Sequence, residues 1–376
     1  MLLIAPRRIG KTSLMREAGQ QLGQEFLCLQ VDLQKSANPE EAILELSMAV
    51  RPHISLWGKV LALFSNILDQ VAGRIQSLRK SDVTIALRAG INSGNWQAKG
   101  DRILEILSKS EKPVVVFFDE LPILVAKMLR VSQGAVTAEA RANAESFMSW
   151  LRSNSIRHQG KIRMVITGSI GLRPLLRKAG LSASLNNFMP FTLGPWSQEI
   201  AAKFFDQIAA DHEISLERGV ASYMAELIGF CIPHYVRMFF EHVYRYSKMN
   251  KVRSFSRQTV HQIYQENMLG PLGRTEVSHY EERLRLLGTQ DYQLAVAFLT
   301  EASVAGQLTE RSATQLASRI VPPHQQETAI RDVKMILEHD GYLQRDSKGE
   351  YRFVSPLLKD WWSASFYSGN PAPSGE

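Results

Sequence analysis

Residues 113–120 read PVVVFFDE, an unbroken apolar run of valines and phenylalanines that opens on a proline and ends in two carboxylates. A run of this kind suits a strand buried on both faces, and such strands belong to parallel sheets with helices packed on either side. Three other stretches share the form: MLLIA (1–5), FLCLQVDL (26–33) and IRMVITGS (162–169), with FMPFTLGPW (188–196) as a shorter fifth. Between them lie helical patterns at 11–22, 39–50, 54–80, 100–109 and 137–156, the second opened by Asn38-Pro39, a helix start signal. The segment SDVTIALRAGINSG (81–94) alternates, and reads as a hairpin or an extended excursion. Strands alternating with helices predict an α/β domain over 1–196, with a parallel sheet and right-handed crossovers.

The pattern changes after Trp196. Strand signals vanish and helices are expected at 197–212, 216–229, 233–249 and 256–268, giving an all-α domain over 197–272. Gly229 closes one of these helices, and Pro233 opens the next, where its missing N–H does no harm. LGPLGRTEVS (269–278) reads as a linker. Residues 279–368 follow as three helices and a two-stranded wing (341–355) around the turn Asp346-Ser347-Lys348-Gly349, the pattern of a winged-helix domain. The end of the chain, 369–376, has the composition of a disordered tail.

Composition removes several classes of function. The two cysteines, Cys28 and Cys231, each sit in an apolar run and read as buried thiols, so a reducing, cytoplasmic location is expected. The most apolar window, ISLWGKVLALFSNILDQVAG, is broken by Lys59 and Asp69, which makes it amphipathic rather than membrane-spanning. MLLIA is too short for the apolar core of a leader peptide. The histidines show no metal spacing, and no Ser/His/Asp arrangement stands out. A net charge of +7 permits an anionic partner without demanding one.

The first strand runs into Ala5-Pro6-Arg7-Arg8-Ile9-Gly10-Lys11-Thr12-Ser13 and then a helix. Phosphate binding needs backbone N–H groups converging on one point, and a glycine-bearing turn that feeds a helix N-terminus supplies them. The stretch fits the P-loop pattern with alanine at the first glycine position. Residues 5–13 are therefore the candidate nucleotide contacts. Gly10 would let the backbone approach the phosphates, Lys11 would reach the β and γ phosphates, and the Thr12 hydroxyl would ligate Mg²⁺. Asp119 falls at the carboxyl edge of the sheet, where a carboxylate can hold Mg²⁺. Glu120 beside it could orient or deprotonate an attacking water. Thr167 and Ser169 place hydroxyls at the same edge, and one of them could report the γ-phosphate; Ser169 is preferred. Asp32 reads as a strand-end cap. Arg163, Arg173 and Arg177 are the nearest candidates for a charge-stabilising arginine, and the sequence does not choose among them.

APRRIGKTSL, VVVFFDELPIL and ITGSIGL, followed by a helical region with LIGFCIPHYV, resemble the archaeal and bacterial P-loop ATPases of the STAND branch, close to AAA+ and Orc/Cdc6-like proteins. The resemblance covers roughly residues 1–270, and the last segment resembles the family's winged helix. It implies Lys11 and Thr12 as nucleotide and Mg²⁺ contacts, Asp119 as the Mg²⁺ carboxylate, Glu120 as the catalytic acid and Ser169 as the sensor. Gly229 and Pro233 match the family's lid motif, which places Pro233 against the nucleotide. Family members carry a segment before the first strand that helps enclose the adenine, so a natural chain longer by roughly 20–30 residues is expected.

The leading expectation is an ATP-binding and ATP-hydrolysing molecular switch that uses Mg²⁺ and couples nucleotide state to the position of its lid and winged helix. The alternative is a DNA-binding regulator with a structural or vestigial nucleotide site; a third reading is a scaffold that assembles when ATP is bound. On 325–339, the expected recognition helix, Arg331 and Lys334 are offset by Glu327, Asp332, Glu338 and Asp340. A helix that reads DNA shows a net basic face. A protein partner or self-association through the winged helix is therefore expected ahead of DNA. Trp361 and Trp362 are expected in the core.

Overall fold

The computed structural model describes residues 1–6, 8–66, 80–129, 137–168, 171–270, 273, 275 and 278–366. Arg7, Ser169, much of the expected linker and the tail at 369–376 lie outside the described residues. The chain divides into two compact units, Met1–Arg7 with Lys11–Leu193, and Arg8–Gly10 with Gly194–Glu376.

The first unit is built on a five-stranded parallel sheet. Its strands are β1 (Leu2–Ile4), β2 (Leu27–Asp32), β3 (Val114–Asp119), β4 (Ile162–Thr167) and β5 (Pro190–Thr192), in the order β2-β3-β4-β1-β5. The central strands are apolar on both sides because both sides are covered. On one face Val114, Val116 and Phe118 pack with Leu29, Val31 and Ile166 beneath α2 (Pro39–Ala49), α5 (Trp96–Ser108) and α7 (Ala138–Arg157). On the other face Val115 and Phe117 meet Met15 of α1 (Lys11–Leu22), with Cys28 and Val165 at the margin of the cluster. That face carries the smaller cluster. Cys28 is accordingly only half-buried, against the expectation of two buried thiols; Cys231 is fully buried, and burial pushes its thiol up to about 11. α3 (Ile54–Ala62) occupies the described start of the expected helix at 54–80.

Residues 81–94 correct the sequence reading. They form neither a hairpin nor an extended segment: α4 spans Lys80–Ala89, and a turn follows. Val83, Ala86 and Leu87 fall at helical spacing, and Ala86 and Leu87 are fully buried while Ile85 points to solvent. The helical period won over the apparent alternation because the buried set follows it. Two short helices the sequence reading did not include also belong to this unit, α6 (Leu121–Met128) and α8 (Leu172–Lys178).

The second unit is mainly helical. α9 (Gln198–Asp211), α10 (Val220–Ile228), α11 (Pro233–Asn250) and α12 (Arg257–Ile263) follow the expected order, with Ser197 and Ser256 capping α9 and α12 through their hydroxyls. Strand pairing does not vanish here as expected. β6 (Ser215–Leu216) and β7 (Ser254–Phe255) form a short parallel pair, anchored by Phe255 in the core. The remainder comprises α13 (His279–Leu284), α14 (Thr289–Ala305), α15 (Glu310–Ile320), α16 (Gln326–His339), an antiparallel pair of β8 (Leu343–Arg345) and β9 (Tyr351–Phe353), and α17 (Pro356–Phe366). Trp361 and Trp362 are buried, and Trp362 stacks on Phe366 while donating its indole N–H to Thr300 Oγ1 at 3.2 Å. Ser355 Oγ donates to Ile228 O at 2.9 Å and Tyr264 OH to Asp360 Oδ2 at 2.9 Å, so α17 is tied to α10 and to the end of α12.

One polar residue organises the helical layer of the first unit. Asp101 accepts from Trp150 Nε1 and Asn154 Nδ2, each at 2.8 Å, and from Arg157 Nη1 at 3.4 Å. Trp150 and Asn154 are both buried, so removing the carboxylate leaves the indole N–H without its acceptor and Asn154 Nδ2 with its bond to Trp150 O at 3.0 Å. Asp101→Ala is expected to lower unfolding free energy by about 2–3 kcal/mol, read by urea denaturation, whereas loss of the exposed Lys203–Glu199 pair is expected to leave the urea midpoint where it is.

Candidate functional site

The strand order decides where the chemistry gathers. β4 lies between β1 and β3, so the loop after β1 and the acids after β3 flank the end of β4. Leu3 is in register with Thr167, Phe118 with Ile166, and Asp32 with Asp119. Asp32, Asp119 and Thr167 therefore form one rung at the carboxyl edge of the sheet. α1 starts from the same edge, next to β1.

Thr12 Oγ1 donates to Asp119 Oδ2 at 2.8 Å, and Glu120 N donates to Asp119 Oδ1 at 3.0 Å. Lys11 is buried, with Nζ donating to Ala5 O at 3.2 Å and Pro6 O at 3.0 Å. The ammonium is thus held across the mouth of its own loop. The loop needs two residues in the left-handed region, Arg8 at φ 64° and Gly10 at φ 99°. Only glycine takes the second value without strain. Within the second unit, the Arg8 guanidinium donates to His234 Nε2.

Burial pushes the Asp119 carboxyl above its ordinary range. Glu120 and Asp32 raise it further, while the Thr12 hydrogen bond and Lys11 pull it down. Asp32 itself accepts from Gln34 N at 2.9 Å, the cap expected of it. Glu120 stands at φ 58°, ψ 31°, a left-handed position for a residue with a side chain, at the junction of β3 and α6. Thr167 is fully buried, and its hydroxyl has no hydrogen-bond partner among the described residues.

These residues fit Mg²⁺ with a nucleoside triphosphate. A hydroxyl and a carboxylate in contact are the hard oxygen donors Mg²⁺ takes, and it binds through one or two protein ligands plus waters and phosphates. Among the described residues no three His, Cys, Asp or Glu side chains gather into a metal site of their own. Thr167 adds a buried hydroxyl to the same edge. Of the expected site residues, Lys11, Thr12, Asp119 and Glu120 come together; Arg7 and Ser169 lie outside the described residues. Pro233 is the first residue of α11. The sequence reading set Thr167 behind Ser169; its signal was the register with Leu3, which a sequence does not print.

No protein-family model and no curated protein sequence matches the chain. Solved structures do. The Aeropyrum pernix ORC2 protein, solved in ADPNP–ADP complexes, aligns at TM-score 0.51 with 12% identity over 98% of this chain and 88% of that one. The chain shares the fold of that protein. The A. pernix ORC1 protein in complex with DNA aligns at TM-score 0.41 with 14% identity, covering 97% of this chain and 86% of that one. The Thermotoga maritima RuvB Holliday junction branch migration motor gives 0.35 and 13%, covering 92% and 91%. The segment that joins β1 to α1 leaves the sheet at the carboxyl edge just described. Among the described residues no helix is long and apolar enough to cross a membrane.

The raised Asp119 carboxyl has consequences of definite sign. A folded-state value above the unfolded one makes the ionised carboxylate a cost to stability at neutral pH, relieved as pH falls. Asp119→Asn is expected to raise the melting temperature of the protein at neutral pH, and the gain is expected to shrink as pH falls. Calorimetric melting across pH checks both.

Proposed function

We propose that this protein is a Mg²⁺-dependent ATPase that works as a slow molecular switch of the STAND/AAA+ kind. The observation that carries the reading is the meeting of Thr12, Asp119 and buried Lys11 at the end of a parallel sheet with β4 between β1 and β3. In this reading residues 5–13 bind the triphosphate, with backbone N–H groups of the loop and the start of α1 facing its oxygens. Lys11 neutralises the β and γ phosphates. Thr12 and Asp119 hold Mg²⁺, which supplies charge neutralisation at the phosphates. Glu120 orients a water and takes its proton, and Ser169 or Thr167 contacts the γ-phosphate. Pro233 and the helices from α9 to α12 act as the lid, and residues 279–366 as a winged helix that reads out the nucleotide state. A γ-phosphate present in one state and absent in the other can bias such a two-state element.

A protein partner or self-association is favoured over DNA for the terminal segment. Lys334 on α16 is buried and pairs with Glu310 at 2.8 Å, which removes it from the exposed face. That face carries Glu327, Arg331 and Glu338, so it offers little net positive charge to a phosphate backbone.

Purified protein is expected to release phosphate from ATP only with Mg²⁺. Lys11→Ala should weaken nucleotide binding about ten- to a hundredfold, the worth of a charge-assisted hydrogen bond. Glu120→Gln should bind ATP within about twofold of wild type while turnover falls about a hundredfold or more. Turnover by Glu120→Gln at the wild-type rate would remove Glu120 from the mechanism.

A further inference from the structure

Gly168 follows the last residue of β4, and Pro122 is the second residue of α6, two beyond Glu120. The two touch. A Cβ placed on Gly168 would lie 2.2 Å from Pro122 Cδ and 2.3 Å from Pro122 Cγ. No real side chain tolerates such distances, and the neighbour cannot swing aside. A proline ring has no free rotor, and its φ is fixed. The chain leaving β4 is therefore seated directly against the first turn of α6.

That seat has a particular place. On the α6 side it adjoins Glu120, whose backbone holds the left-handed conformation while its carbonyl accepts from Ile123 N at 3.0 Å. A non-glycine residue persists there only when its surroundings over-determine it. On the β4 side the seat adjoins Thr167, with its buried hydroxyl. Glu120 and Thr167 belong to adjacent strand ends, and the ring–glycine contact is the rigid spacer between them.

We propose that Gly168 and Pro122 are a positioning pair that sets the separation between Glu120 and the exit of β4, and thereby the place of the attacking water in ATP hydrolysis. The inference rests on the ATPase reading above. Neither residue touches substrate; both act through Glu120 and Thr167. Nucleotide binding through Lys11 and Thr12 does not pass through the pair, so the pair affects turnover and leaves affinity alone.

The test compares Gly168→Ala, Pro122→Ala and the double variant by Mg·ATP turnover, by affinity for a fluorescent ADP analogue and by melting of the nucleotide-free protein. Gly168→Ala is expected to lower kcat about ten- to a hundredfold, the effect of displacing a reacting group by about 1 Å, with ADP affinity kept within about threefold. Pro122→Ala, which deletes the ring without adding bulk, is expected to lower kcat about threefold or more at unchanged affinity. The double variant should return to the Pro122→Ala level, because the ring atoms that the methyl group added at Gly168 would strike are gone. Should Gly168→Ala fail to fold, Pro122→Ala carries the test alone. Wild-type kcat in Pro122→Ala, no rescue in the double variant, or affinity and melting temperature falling in step with kcat would each overturn the proposal. A wild-type protein that binds Mg·ATP but never turns it over would end the ATPase reading and this inference together; turnover in the wild type with normal turnover in the variants would end this inference alone.

Discussion

A hydrogen bond joins the two halves of the site: Thr12 Oγ1 to Asp119 Oδ2, at 2.8 Å. It links the first turn of α1 to the end of β3, across the width of β4. Neither strand end could reach the other without the sheet. The parallel order fixes both carboxyl ends on one edge, and burial of Val114, Val116 and Phe118 fixes β3 within that order. Sheet, helix and site are in this sense one construction. The apolar runs form the sheet, the sheet aligns the strand ends, and the aligned ends bring a hydroxyl to a carboxylate.

The site is assembled at a cost to the chain that carries it. Asp119 is partly withdrawn from water beside two other carboxylates, which disfavours its charge. Lys11 is buried with its ammonium turned to loop carbonyls. Glu120 and Arg8 occupy backbone conformations that glycine would hold more easily. Charge held out of water and backbone held off its preferred conformation gather at functional sites, because a ligand of opposite charge or a reacting group can use them. Their meeting with a hydroxyl and a carboxylate at one sheet edge is the physical reason to place the proposed activity here.

Much of this was legible in the residues. PVVVFFDE gives a strand and its terminal carboxylate in one stretch, and APRRIGKTS gives a turn and a helix start in another. Both are local, and local signals survive without an alignment. What depended on distant contacts was not legible. That β4 enters between β1 and β3, that Thr167 falls on the Asp119 rung, and that Gly168 meets Pro122 are facts of pairing between remote segments. Residues 81–94 misled for a different reason. Their alternation is real, but Val83, Ala86 and Leu87 also match a helix, and a packing surface decides between two periods that sequence leaves level. The short pair β6 and β7 was missed because two-residue strands carry no periodicity to detect.

The central claim is that Lys11, Thr12 and Asp119 serve one metal-bound nucleotide. Titration calorimetry with a non-hydrolysable ATP analogue, run on the wild-type protein with and without Mg²⁺, measures it most directly. The account predicts one site per chain whose affinity rises on adding Mg²⁺. Absence of binding at millimolar analogue, or binding indifferent to Mg²⁺, would contradict it.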